Sequence, residues 1–107
     1  MMVNSIKKGK RGEWELGVKL KELGFGKARR GQQYSGLEAD DVVGIEGVHI
    51  ECKRVESINI NKAMKQSIED AQHGDIPVVM HRRSKGEWLV TMRLGDWVQR
   101  NNQGDCL

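Results

Sequence analysis

Residues 41–53, DVVGIEGVHIECK, decide how this chain folds. Two apolar runs, Val42-Val43 with Ile45 and Val48 to Cys52, flank Glu46-Gly47, a pair suited to a tight hairpin turn. In the second run Val48, Ile50 and Cys52 alternate with His49, Glu51 and Lys53. A strand therefore sends the apolar set inward and the charged set outward. Glu51 and Lys53 then share a face, and the hairpin returns Asp41 to a place beside Glu51. Two carboxylates and an ammonium converging there offer hard oxygen ligands for a divalent cation and positive charge for a phosphate.

Taken alone, Glu51-Cys52-Lys53 is a weak signal, because charges alternating along a strand usually mark its wet face. Context strengthens it. Of the ten lysines only Lys53 has an acid two positions before it, and it falls in a strand-like run with an aspartate ahead of the turn.

With 107 residues, the chain has room for one domain spanning 1–107 and one modest core. Its balance of 37% hydrophobic and 31% charged residues suits a folded domain rather than a disordered one. No apolar run approaches membrane-spanning length, and the N-terminal lysines lack the apolar stretch of a signal peptide, so no membrane partner and a cytoplasmic location are expected. Cys52 and Cys106 are too few and too differently placed for a disulfide framework. His49, His73 and His81 show no paired Cys/His spacing of a zinc site.

The net charge of +3 hides an uneven distribution. Residues 1–31 hold nine bases against three acids, residues 38–75 nine acids against four bases, and residues 76–107 five bases against three acids. A basic periphery around an acidic centre fits a polyanion held by its backbone, with metal held where cutting would occur.

In chain order, residues 1–8 read as a loose basic arm, and the run Lys7-Lys8-Gly9-Lys10-Arg11 can lie along phosphates. A helix is predicted from Gly12 to Leu23 on the stripe Leu16, Leu20 and Leu23, with Gly24 as its stop. Glu13 extends that stripe by one turn, where it either favours the helix dipole or points from the core's edge into a site, and Glu15 falls off it into solvent. Residues 25–30, FGKARR, read as a strand carrying Lys27, Arg29 and Arg30 to a phosphate-facing edge, although charge on an edge strand also guards against aggregation. Residues 31–39 have loop composition, with Gln32, Gln33 and Tyr34 able to bond or stack on nucleic acid.

A second helix is predicted from Ile60 to Gln72 on the stripe Ile60, Met64, Ile68 and Ala71, capped by Asn59 or Asn61 and stopped by Gly74. Gln66 lies off that stripe. Pro77 opens a strand running through Val78, Val79 and Met80 into His81-Arg82-Arg83. Ser84-Lys85-Gly86 turns the chain into a return strand from Trp88 to Met92. Asp96 caps a short last helix to Arg100 with Trp97 packed inward, and residues 101–107 read as a frayed tail. The order helix, three strands, helix, two strands, short helix predicts an α/β fold with a single mixed β-sheet flanked by helices.

At this point a family resemblance enters. The stretches KGKRGEWEL, LGFGKARRGQQYSG, ADDVVG, HIECKRVESINI and PVVMHRRSKGEWLV, in that order of elements, resemble the PD-(D/E)XK nuclease superfamily. Within it they are most similar to small Holliday-junction resolvase-like endonucleases of phage and archaeal type. The resemblance runs from about Lys8 to Val98 and implies a restriction-endonuclease-like core of order αβββαββ. It places Asp41 at the aspartate of the Pro-Asp motif, Glu51 at the second acid, Lys53 at the lysine and Glu13 at the helix-one glutamate. Asp40 stands where proline is common, and Asp41 is preferred because its offset to Val42-Val43-Gly44 matches. Gln66 is similar in placement to a downstream glutamine of related nucleases.

The resemblance implies Mg²⁺, with Mn²⁺ as a substitute, held by Asp41, Glu51, the Cys52 carbonyl and Glu13. Lys53 would act on the nucleophile or the developing charge. The partner implied is branched DNA, contacted by Lys8, Lys10, Arg11, Lys27, Arg29, Arg30, Gln32, Gln33, Tyr34, Arg54, Arg82 and Arg83. Two related cuts in a four-way junction imply a two-fold homodimer, serving recombination and repair in a bacterial or phage-infected cell. Rival readings are a virus-type replication-repair nuclease cutting flaps or nicking, a non-catalytic nucleic-acid-binding domain, and a small protein-interaction domain.

Overall fold

Period-two patterning in residues 48–54 produces the longest run of pairing in the molecule. The structure, a computed structural model, describes residues 2–31 and 41–105, with side chains over 10–31 and 41–101. In chain order the elements are helix α1 (Met2–Glu22), strands β1 (Arg29–Arg30), β2 (Val42–Val43) and β3 (Val48–Arg54), helix α2 (Ile60–Asp70), strands β4 (Ile76–Arg82) and β5 (Leu89–Met92), and helix α3 (Leu94–Asp105). The five strands form one mixed sheet in the order β1-β2-β3-β4-β5. β3 and β4 run parallel, with Ile50 beside Val78 and Glu51 beside Val79, and the other neighbours are antiparallel. Parallel strands need a crossover, which α2 supplies.

The expected hairpin is present, with Val42 opposite Ile50 around the Glu46-Gly47 turn. Gly44 is required there for two reasons: its φ is +107°, and a Cβ would collide with the Lys27 carbonyl. Leu16 and Leu20 of α1 bury against Ala28, Val42, Val48, Ile50 and Val78, which forms the core on one face of the sheet. Gly12 lets the helix approach closely, since a Cβ there would lie 2.6 Å from Cβ of Arg54.

The opposite face departs from expectation. His49 and Glu51 do not point to water; α2 covers them, and both are buried. The helix does so with small residues, Ala63 and Ser67, rather than with the predicted stripe, and Ile68 is left exposed. Ser67 fits because its hydroxyl donates to the Val78 carbonyl at 2.9 Å, which satisfies a buried polar group on the sheet. Asn59 caps the helix by accepting from the Lys62 N–H, and the helix ends at Asp70 with Ala71 as C-cap, earlier than Gly74.

Several element bounds also differ. α1 begins at Met2, so the expected loose arm at residues 1–8 is helical backbone from its second residue. Only Arg29–Arg30 of the 25–30 stretch pairs as a strand, because β2 offers just two partners. Leu23 lies past the helix and is exposed, beside the stop at Gly24. α3 is longer than predicted and takes in part of the expected tail; Asp96 sits in its first turn, held by the Arg93 guanidinium at 2.8 Å, and Trp97 is 53% exposed rather than packed inward.

Candidate active site

Asp41 is fixed by three hydrogen bonds to the backbone. Its N–H donates to the Ile50 carbonyl at 3.0 Å, its carbonyl accepts from the Gly31 N–H at 2.9 Å, and its Oδ2 accepts from the Cys52 N–H at 2.8 Å. The carboxylate is thereby stapled to the strand that carries Glu51 and Lys53. It opens into a cleft of about 640 Å³ whose walls include Arg11, Glu13, Cys52, Lys53 and Arg54.

Lys53 Nζ stands 3.8 Å from Glu51 Oε2. Glu13, on the inner face of α1, is held by Arg30, whose Nε donates to Oε2 at 3.2 Å. Burial pushes the Asp41 carboxyl up to about 7, opposed by the Cys52 N–H and reinforced by the negative charges of Glu51 and Glu13. Glu13 is also raised, again chiefly by burial, with Arg30 pulling the other way. Burial raises the Cys52 thiol as well, so it stays protonated and packs beside the core. A cation in this cleft would relieve what burial and mutual repulsion impose on the acids.

The expected ligand set is nevertheless not drawn tightly together: Asp41 and Glu13 line the cleft, whereas Glu51 is buried beneath α2 and does not. Among the described residues, the group of three or more acid or imidazole ligand atoms lying within 4.8 Å of one another is His49, Glu51 and Asp70, not Glu13, Asp41 and Glu51. Gln66 is exposed on α2 and is not among the residues lining the cleft. A residue off the apolar stripe of a helix that packs over β3 and β4 faces away from the sheet.

No family model, curated protein or solved structure matches this chain.

The basic residues divide into two sets. Lys10, Arg11, Lys27 and Arg83 are exposed, and Arg11 stands on the lip of the cleft. Arg29 is exposed on β1 and donates to the Arg30 carbonyl. Arg30, Arg54 and Arg82 are instead engaged within the protein. Arg54 Nε meets Glu15 at 3.3 Å, Arg82 bonds the same Glu15 oxygen, and Arg82 Nε donates to the Gly86 carbonyl at 2.6 Å. Glu15 is therefore not a solvated acid, and these two arginines are not free phosphate ligands. Its position one place from the apolar stripe let it reach the sheet's end, a geometry that helical spacing alone did not reveal. Gln32, Gln33, Tyr34 and Asp40 lie outside the described residues, as does the side chain of Lys8.

Sequence reasoning also passed over Asp70. It lies seven residues from Ala63 and three from Ser67, on the stripe that α2 turns to the sheet, and this spacing was the available signal. Among the described residues no helix is long and apolar enough to cross a membrane.

Proposed function

We propose that this protein is a metal-dependent DNA endonuclease with a resolvase-like core, acting on branched DNA such as a four-way junction. One observation carries the reading: Asp41, raised to about 7 by burial among Glu51 and Glu13, shares a basic-lipped cleft with Lys53. Such a cleft favours a divalent cation and a phosphate together. The hard oxygen donors fit Mg²⁺ or Mn²⁺, with Asp41 and Glu13, which line the cleft, and Glu51, buried behind it, as the side chains that would hold it and the Cys52 carbonyl nearby. Bound there, the ion supplies a polarised phosphate and a water acidified toward hydroxide.

The chain's own residues do the rest. Cys52 holds the Asp41 carboxylate in place through its N–H, so orientation needs no loop rearrangement. Lys53 brings an ammonium beside Glu51 and can stabilise charge building on the phosphate oxygens. Arg30 keeps Glu13 oriented. Arg11, Lys10 and Lys27 offer exposed charge to the DNA backbone.

Paired cutting needs two sites, so the proposal includes a two-fold homodimer. Leu89 and Val90 on the open edge strand β5, with Leu94, Trp97 and Val98 on α3, are exposed and apolar, and α3 makes almost no packing contact with the rest of the described fold. A helix of this length gains most of its stability from a packed face, which a second copy would provide.

The test is incubation with Mg²⁺ and a labelled four-way junction, a flap and a linear duplex. Paired nicks in the junction are expected. Cutting of the flap alone favours the virus-type replication-repair reading, and binding without nicks leaves a nucleic-acid-binding domain.

A further inference from the structure

We propose that His49, Glu51 and Asp70 form a second cation site on the α2 face of the sheet, suited to a borderline divalent ion such as Zn²⁺ rather than to Mg²⁺. One ligand atom from each of the three lies within 4.8 Å of the others. His49 Nε2 and Glu51 Oε1 are 3.6 Å apart. Two ligand atoms each about 2.0–2.1 Å from a tetrahedral zinc lie about 3.4 Å apart, so this pair already has nearly the spacing that such an ion requires. An imidazole nitrogen with two carboxylates favours zinc-like ions over magnesium, which prefers oxygen and keeps its waters.

Two further observations point to a cation. The side chains of His49 and Glu51 are 0% and 4% exposed, yet the Glu51 carboxylate meets the His49 ring and the Lys53 ammonium only at 3.6 and 3.8 Å, both beyond hydrogen-bond length. The two cationic neighbours of this buried carboxylate stand off at ion-pair distance, and a coordinated ion would add a direct bond to it. Asp70, moreover, ends α2 directly after Glu69, in a last turn that carries no base. Acids at a helix C-terminus oppose the helix dipole, whereas a divalent ion there offsets it.

Glu51 divides the two sites. Its Oε2 faces Lys53, which lines the cleft, and its Oε1 faces His49, while Glu51 itself lies buried behind the cleft wall. His49 and Asp70 belong to this site alone, so Zn²⁺ binding through them is read separately from nuclease activity.

Calorimetric titration of the metal-free protein with Zn²⁺, with Asp70→Asn and Asp41→Asn variants alongside, decides the matter. Asp70 is exposed, so its substitution keeps the fold, which far-UV circular dichroism checks. The expected result is one equivalent of Zn²⁺ whose affinity falls at least about tenfold in Asp70→Asn and is kept in Asp41→Asn. Substitution by Co²⁺ should give visible absorption bands that Asp70→Asn alters. Wild-type protein without Zn²⁺ binding, or Asp70→Asn binding as tightly as wild type, overturns the site. Loss in Asp41→Asn alone would put the ion in the cleft and also overturn it, while leaving the nuclease proposal standing. Absence of cleavage alongside intact, Asp70-dependent Zn²⁺ binding would remove only the nuclease proposal.

Discussion

Asp41 Oδ2 accepts a 2.8 Å hydrogen bond from the N–H of Cys52, the residue between Glu51 and Lys53. This single bond ties the acid of one strand to the backbone between the acid and the base of the next. Replacing Asp41 by Asn should abolish Mg²⁺-dependent nicking of junction DNA while leaving DNA binding within a few-fold. Cleavage at the wild-type rate would show that the acid is not needed.

The same residue sets a pH dependence in the metal-free protein. Its folded carboxyl titrates near 7 against 3.8 as its ordinary value, so between these the folded state keeps a proton that the unfolded chain has released. Its contribution to stability is therefore full below about pH 4 and is lost as pH rises through about 7, at up to about 1.4 kcal/mol per pH unit. Denaturant titrations across pH 4–8 should show this slope in the wild type and a flatter one in Asp41→Asn. Equal slopes would mean that the group is not buried as described.

Lys53 is half-exposed at the cleft with its ammonium toward Glu51. Lys53→Ala should lower the single-turnover cleavage rate on the order of 10²–10³-fold, a loss typical of one charge-stabilising group, with little change in melting temperature. A change confined to DNA affinity would make it a phosphate contact only.

Glu15 gathers Arg54 and Arg82 at the ends of β3 and β4. Glu15→Ala should destabilise the fold by about 1–3 kcal/mol, because two partly buried guanidinium groups lose their shared acceptor. Chemical denaturation measures this directly, and an unchanged midpoint would make the cluster an idle surface pair.

Leu94 and Trp97 present apolar surface on a helix with almost no packing of its own. Leu94→Asp should turn a dimer into a monomer in sedimentation and reduce paired junction cuts to single nicks. A wild type that sediments as a monomer with junction DNA bound removes the dimer.

Much of the fold was legible along the chain. Alternation from Val48 to Lys53, the Glu46-Gly47 turn, the leucine stripe at Leu16 and Leu20, and the stop at Gly24 are local properties, and each gave its element or boundary. The pairing of the Asp41 end of one strand with the Cys52 end of the next followed from the same hairpin. Weak elements were less legible: β1 shrank to two residues, and α3 and α1 both extended past their expected ends, because composition does not say how many partners a strand finds or where helical backbone frays.

What the sequence determined by itself was which side chains share a face, since backbone geometry fixes the periods of strand and helix. Whether a face meets water or another element was decided only by tertiary structure. His49 and Glu51 alternate like a wet row, yet α2 covers them because Ala63 and Ser67 are small enough for close approach. Glu15 reaches Arg54 and Arg82 across 39 and 67 positions of sequence, separations over which no local pattern carries information. Long-range packing chose the partners of the charges, and with them which acids face the cleft and which lie buried beneath a helix.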